Sequence, residues 1–186
     1  MTSHVALLHS ITIGGGRRLV MADWRAMLTA IGLDNPRTWA ATGNALFDSR
    51  DATVGELEQR LETAFALSFG RQVDTIVKTA AHWTRLVADN PFPDESERDG
   101  TRLAVRVMRE PLDQAALDGL LPHATQGERL AIVHGDLWVH FDQDPTRSRL
   151  ANALTTRRLG VGTIRNWNTV LRLNEMIAGS PEVPAG

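Results

Sequence analysis

The same order of predicted elements occurs twice in this chain of 186 residues, and that repeat limits the fold more than any other feature. Before residue 91, apolar runs, capping residues and glycines predict strand, helix, strand, strand, helix, strand and one further helix. The same order returns after residue 100. A strand–helix–strand–strand–helix–strand unit is ferredoxin-like. The sequence therefore predicts an α+β fold of two tandem ferredoxin-like units, each with an extra C-terminal helix.

A segment rich in proline and charge, PFPDESERDG at 91–100, separates the two halves of the chain. It has little hydrophobic periodicity, so we interpret it as a linker between a first unit at 1–90 and a second unit at 101–179. The last residues, 180–186, are interpreted as a tail. Each sheet would carry helices on one face. We expect the other face to be covered by the partner unit or by a homodimer, or to bind a ligand.

Local signals in three places give the most specific structural expectations. Residues 53–56, Thr-Val-Gly-Glu, form a capping-box pattern that predicts the start of a helix. Gly135-Asp136 lies between two alternating apolar arms and predicts a type II′ hairpin turn. Asp144-Pro145 predicts the start of a helix that runs to Gly160.

Composition restricts the class of protein. The absence of cysteine excludes disulfides, thiolate zinc sites and a cysteine nucleophile. The apolar runs are short, with Val5 to Leu8 among the longest, whereas a membrane span needs about 20 residues. The N-terminus has no pattern typical of a signal peptide. We expect a cytoplasmic, soluble protein. A net charge of −2 does not favour nucleic acid as a partner.

The segment 145–174 contains six arginines and no aspartate or glutamate. A helix predicted to begin near Trp167 needs a cap, which Asn166 or Asn168 supplies. That account leaves Arg165 unexplained, and a guanidinium beside a helix N-terminus favours an anion. We predict a basic polar pocket for a small anionic ligand, formed by Arg147, Arg149, Arg165, Asn166, Trp167 and Asn168. The alternative is a helix cap with a packing tryptophan and arginines that pair with acids elsewhere.

Five separated motifs occur along the chain in a fixed order. They are ALLHSITIGG at 6–15, MADWRAMLTAIGLDNPRTWAATGNALFDS at 21–49, NPFP at 90–93, RSRLANAL at 147–154 and RNWNTVLRL at 165–173. In this order they resemble the bacterial family called domain of unknown function 1697. The resemblance extends from Val5 to about Ala178 and implies two ferredoxin-like units in tandem. It implies no activity, because the function of that family is not established.

The first motif departs from the pattern of that family, which is Leu-Arg-Gly-Ile-Asn-Val-Gly-Gly. Here His9, Ser10 and Thr12 replace the arginine, the first glycine and the asparagine. A second family motif, Ser-Gly-Asn, is Thr42-Gly43-Asn44 in this chain. If the first loop carries a shared activity through its arginine and asparagine, this chain has altered or lost that activity.

A glycine-rich loop, GGGRR, occupies 14–18. Its glycines let backbone amides approach an anion, and its arginines supply charge. It lacks the lysine of a phosphate-binding P-loop and the spacing of a dinucleotide-binding loop. We predict His9, Gly14, Gly15, Arg17 and Asn44 as further ligand-binding residues. The alternative is a loop that only joins a strand to a helix.

The histidines lack the spacing of metal ligands, and no cysteine accompanies them. We therefore predict no metal site and no cofactor.

Three functions remain open on the sequence. The first is a binding or interaction module for a small anionic ligand. The second is an enzyme that acts on a phosphorylated or anionic metabolite through His9 or Ser10, which requires Arg165 within roughly 15 Å of His9. The third is a weak RNA-binding module, which is disfavoured because the chain has no tyrosine and few aromatics for stacking on bases. The sequence assigns no catalytic residue.

Overall fold

The computed structural model describes residues 1–10, 19–50 and 52–179. Its first half contains β1 (Thr2–Leu8), α1 (Met21–Ala30), β2 (Asp34–Trp39), β3 (Asn44–Ser49), α2 (Val54–Phe69), β4 (Thr75–Thr79) and α3 (Ala80–Ala88). Its second half contains α4 (Pro93–Arg98), β5 (Leu103–Met108), α5 (Gln114–Leu120), β6 (Arg129–Val133), β7 (Asp136–His140), α6 (Thr156–Leu159), β8 (Gly162–Asn166) and α7 (Trp167–Ala178). Short 3-10 helices occupy Leu121–His123, Pro145–Arg147 and Arg149–Ala153.

The strands form two antiparallel four-stranded sheets, in the orders β2-β3-β1-β4 and β6-β7-β5-β8. In each sheet the first strand of its half therefore lies between the third and the fourth. The fold is α+β, as the sequence predicts. Among the described residues, none of the helices combines the length and the hydropathy that crossing a membrane would require.

Both faces of β1 are buried, because successive side chains of a strand point to opposite sides of the sheet. Ala6 and Leu8 join an outer core with α1 and α2. Val5 and Leu7 join a central core that also holds side chains of β5, α3 and α7. The inner face of each sheet is thus covered by the other half of the chain and by α3 and α7. A third core packs the outer face of the second sheet against α5 and the 3-10 segments.

Of two local predictions, one is confirmed and one is wrong. The capping box is confirmed: Glu56 N donates to Thr53 Oγ1 at 3.3 Å, and Thr53 N donates to Glu56 Oε2 at 2.8 Å. The predicted type II′ turn is wrong. His134 and Gly135 both have positive φ, 53° and 83°, as in a type I′ turn, and β7 already begins at Asp136. A Cβ on Gly135 would lie 2.3 Å from Pro111 Cβ, so the turn requires glycine there.

The segment 91–100, predicted as a linker, contains α4 and buries Phe92 in the central core. One longer prediction needs correction. The helix predicted from Asp144 to Gly160 is instead two 3-10 turns followed by the four-residue α6. Asp144 does cap the first turn, through Thr146 N at 2.9 Å, but the chain leaves helical geometry at Ser148 with ψ 130°.

Candidate functional site

The side chain of Arg165 joins the two halves of the chain. It lies on β8 opposite Val105, on the side of the central core. All five N–H groups of a guanidinium find acceptors here. The acceptors are all uncharged: Asn44 Oδ1 at 2.6 Å, Thr163 Oγ1 at 2.7 Å, and the carbonyl oxygens of Ile164, Thr42 and Leu8 at 2.9, 3.0 and 3.3 Å.

The charge of Arg165 is buried without a counter-charge. The residue is 8% exposed, and burial lowers its pKa to about 10, so the side chain is still protonated at neutral pH. Within the described part of the chain, no carboxylate forms an ion pair with it. Arg165 therefore leaves a positive field at the junction of the two halves.

A second arginine is buried on the opposite face of the same sheet. Arg106 lies on β5, is 4% exposed, and donates to the carbonyl oxygens of Leu154 and Gly160, both at 3.1 Å. Its Nε has no acceptor within the described residues, and burial lowers its pKa. Sequence reasoning missed this residue. The available signal was a single charged residue in the otherwise apolar strand LAVRVM.

The end of β1 meets the second half of the chain at His9. Its Nδ1 donates to the carbonyl oxygen of Gly162 at 2.9 Å, so its Nε2 accepts from Thr156 Oγ1 at 3.2 Å. Arg165 bonds to the carbonyl of Leu8, which directly precedes His9, so the two predicted residues lie close together. Both ring nitrogens of His9 are therefore hydrogen-bonded within the protein.

Two further residues complete the junction. Ser10 is exposed with a positive φ of 49°, and its carbonyl oxygen accepts from Arg71 Nη2 at 3.3 Å. Asn44 is fully buried: it accepts from Arg165 and donates to Trp39 O at 3.1 Å and Thr42 Oγ1 at 2.9 Å. His9, Asn44 and Arg165, predicted from separate motifs, are thus brought together.

The rest of the predicted basic pocket does not assemble around Arg165. Asn166 caps α7 by accepting from Thr169 N at 2.9 Å, and Trp167 packs on Trp138 with ring centroids 5.5 Å apart. The helix-cap alternative therefore accounts for these two residues, and Asn168 is exposed.

Arg147 and Arg149 are also exposed, on the 3-10 turns. The donors of Arg165 are all bonded within the protein, so its contribution to a pocket would be its charge. Gly14, Gly15 and Arg17 lie outside the described residues. No group of three or more His, Asp or Glu side chains is arranged to hold a metal ion within the described ranges.

Comparisons with known proteins give a structural relative and a family. The fold is similar to the structure of the conserved bacterial protein SP0830 from Streptococcus pneumoniae, with a TM-score of 0.75 and 23% sequence identity over 96% of this chain and 99% of that one. No curated protein sequence matches the chain. The model of one family matches residues 1–138, which excludes the motifs at 147–154 and 165–173. On that match, the chain belongs to the family described as protein of unknown function (DUF1697).

Proposed function

We propose that the protein is a non-enzymatic binding module, built from two tandem ferredoxin-like units, that takes a small anionic ligand where the end of β1 meets the second unit. The strand orders support the ferredoxin-like assignment, because each sheet is antiparallel with the first strand of its unit between the third and the fourth. The element order strand–helix–strand–strand–helix–strand supports it as well.

The observation that carries this proposal is the pair of buried guanidinium groups, Arg106 and Arg165, whose acceptors within the described residues are all uncharged. A buried charge that has hydrogen bonds but no counter-ion still attracts an anion. At a separation of ~8 Å and an effective dielectric constant of ~20, one such charge contributes about 2 kcal/mol of attraction. The ligand therefore need not touch Arg165 to be bound by it.

Ser10 and Arg71 supply the direct contacts in this proposal. The Ser10 side chain is exposed beside the junction, and the Arg71 guanidinium already bonds the Ser10 backbone. A phosphate or carboxylate group can accept from both. Gly14, Gly15 and Arg17, which follow shortly after Ser10 in the sequence, stay predicted contributors.

Calorimetric titration with orthophosphate and pyrophosphate at low ionic strength tests this function. We expect millimolar or tighter binding that weakens about five-fold in Arg71→Gln, the effect of losing one partly exposed ion pair. Arg25→Gln removes one exposed positive charge elsewhere and serves as the matched control. Absence of binding, or an equal loss in Arg25→Gln, would contradict the proposed site.

A further inference from the structure

A groove between the two halves of the chain is separate from the junction at Arg165. It has a volume of about 360 Å³ and is lined by residues from the start of α2, the end of β4, α3 and the segment after β5. That volume is at the lower end of the range for ligand pockets, roughly 300–1,000 Å³. A small molecule fits it better than a polymer does.

One wall of this groove is a histidine fixed by a buried carboxylate. Asp136 is 1% exposed, and its Oδ1 accepts from Met108 N at 2.8 Å. Its Oδ2 accepts from His82 Nε2 at 2.9 Å, so the ring proton lies on Nε2. The other ring nitrogen, Nδ1, has no hydrogen-bond partner within the described residues. His82 is therefore held in place by Asp136 in the lining of the groove.

The floor of the groove carries a carboxylate that is only partly compensated. Glu58 is 9% exposed, and its Oε1 accepts from Val77 N at 2.9 Å. Its Oε2 lies 3.5 Å from Arg109 Nε, and Arg109 is also bound to Glu62. Burial raises the pKa of Glu58 in spite of these neighbours. A further cationic group beside Glu58 would stabilise its ionised form.

Two further cations line the same groove. Lys78 is half-buried and Arg85 is exposed. Neither forms an ion pair with a carboxylate within the described part of the chain. Lys78 is near enough to Glu58 to favour the ionised form of that carboxyl, and Glu110 also lines the groove, so the lining carries charges of both signs.

We propose that this groove is a binding site for a small zwitterion, a compound that carries an ammonium group and a carboxylate group a few bonds apart. The ammonium group binds Glu58, and the carboxylate group binds Lys78 and Arg85. A singly charged molecule satisfies one side only. Discrimination in favour of a zwitterion follows from the two opposite charges of the lining. The site is independent of the proposed anion site at the end of β1.

Amide and imidazole NMR of the full chain tests the proposal with five probes. Glycine, γ-aminobutyrate and ε-aminocaproate are zwitterions with increasing separation of charge, while propionate and propylammonium carry one charge each. We expect at least one zwitterion to shift the signals of Val77, Thr79 and His82, and to bind at least about five-fold more tightly than either singly charged probe. Glu58→Gln and Lys78→Gln should each remove that preference.

The matched controls are Glu175→Gln and Arg25→Gln, which remove one exposed charge of each sign outside the groove. Equal binding of the zwitterions and the singly charged probes would overturn the proposal. So would the absence of shifts at tens of millimolar, or equal effects of the groove variants and the controls. If Glu58→Gln fails to fold, Lys78→Gln and the probe series decide the result.

Discussion

Arg165 and Arg109 both belong to the second half of the chain, and both reach across to the first half. Arg165 meets an amide, a hydroxyl and three carbonyl groups, and burial lowers its pKa to about 10. Arg109 meets Glu58, Glu62 and the carbonyl of Thr75. Burial opposes the charge of Arg109 as well, but its bond to Glu62 and the nearby acids outweigh burial and raise its pKa.

The comparison separates two ways of joining halves of one chain. At Arg165 every hydrogen bond is made, but the charge is not neutralised. At Arg109 the charge is neutralised by acids, but burial still disfavours the ionised form of Glu58 and raises its pKa. Hydrogen-bond satisfaction and charge compensation are therefore distinct properties of a buried ion, and each leaves a different opportunity for a ligand.

The largest expected effect comes from Arg165→Met. Methionine fills much of the volume but leaves five acceptors without donors, several of them buried. We expect the free energy of unfolding to fall by about 3–5 kcal/mol. Urea denaturation measures this, and the loss should be the same at pH 5 and pH 7, because no acid is left unpaired. A loss below ~1 kcal/mol would mean that Arg165 does not hold the junction together.

Arg109→Met should have a smaller effect that depends on pH. It leaves Glu58 and Glu62 without their cation, and we expect a loss of about 1–3 kcal/mol at pH 7. The penalty belongs to the ionised form of Glu58, so it should shrink as the pH falls and the carboxyl, whose pKa is raised, binds a proton. Denaturation at pH 5 and pH 7 checks the sign. A loss that does not vary with pH would remove the contrast with Arg165.

Glu58→Gln tests the same carboxyl directly. Because folding raises the pKa of Glu58, the native state binds its proton more tightly than the unfolded state. Its stabilising contribution is therefore complete below about pH 4.5 and is lost as the pH rises through the raised value. We expect the free energy of unfolding of Glu58→Gln, relative to that of the wild type, to be higher at pH 7 than at pH 4. The change from the wild type should be under ~1.5 kcal/mol. Thermal melts at the two pH values measure this difference, and the opposite order would contradict it.

The smallest expected effect is stabilisation by an added anion. If the charge of Arg165 attracts the ligand, orthophosphate at three times its dissociation constant should stabilise the wild type by about 0.8 kcal/mol. Arg109→Met should keep this gain, since its charge is neutralised by acids in the wild type. Arg165→Lys, which retains the charge, should keep part of it. If Arg109→Met and Arg165→Lys lose the stabilisation by orthophosphate equally, anion binding depends on the overall stability of the fold and not on the buried charge of Arg165.

Local patterns in the sequence predicted most of the fold. The apolar run from Val5 to Leu8 predicts a strand buried on both faces, and Thr53 with Glu56 predicts the start of α2. Asn166 was one of two candidates for the cap of α7, and the structure selects it. The helix expected after Asp144 failed, because the chain turns away at Ser148, whose hydroxyl accepts from Leu150 N at 3.2 Å and caps the next turn.

The candidate site was predicted only in part. His9, Asn44 and Arg165 were identified from motifs, but their role was not, because the partners of Arg165 are 121 to 157 residues distant along the chain, apart from its own neighbours. The groove at Glu58 was not predicted at all. Its acid and its cations come from α2, β4 and α3, and no local spacing relates them.

The sequence by itself determined the strands and the longer helices of both halves, since the period of apolar residues and the capping side chains act over a few residues. Only the tertiary structure decided which charges are compensated. Whether a buried guanidinium meets a carbonyl or a carboxylate depends on which distant segment packs against it, and hydrophobic burial, which sets that packing, carries no information about charge.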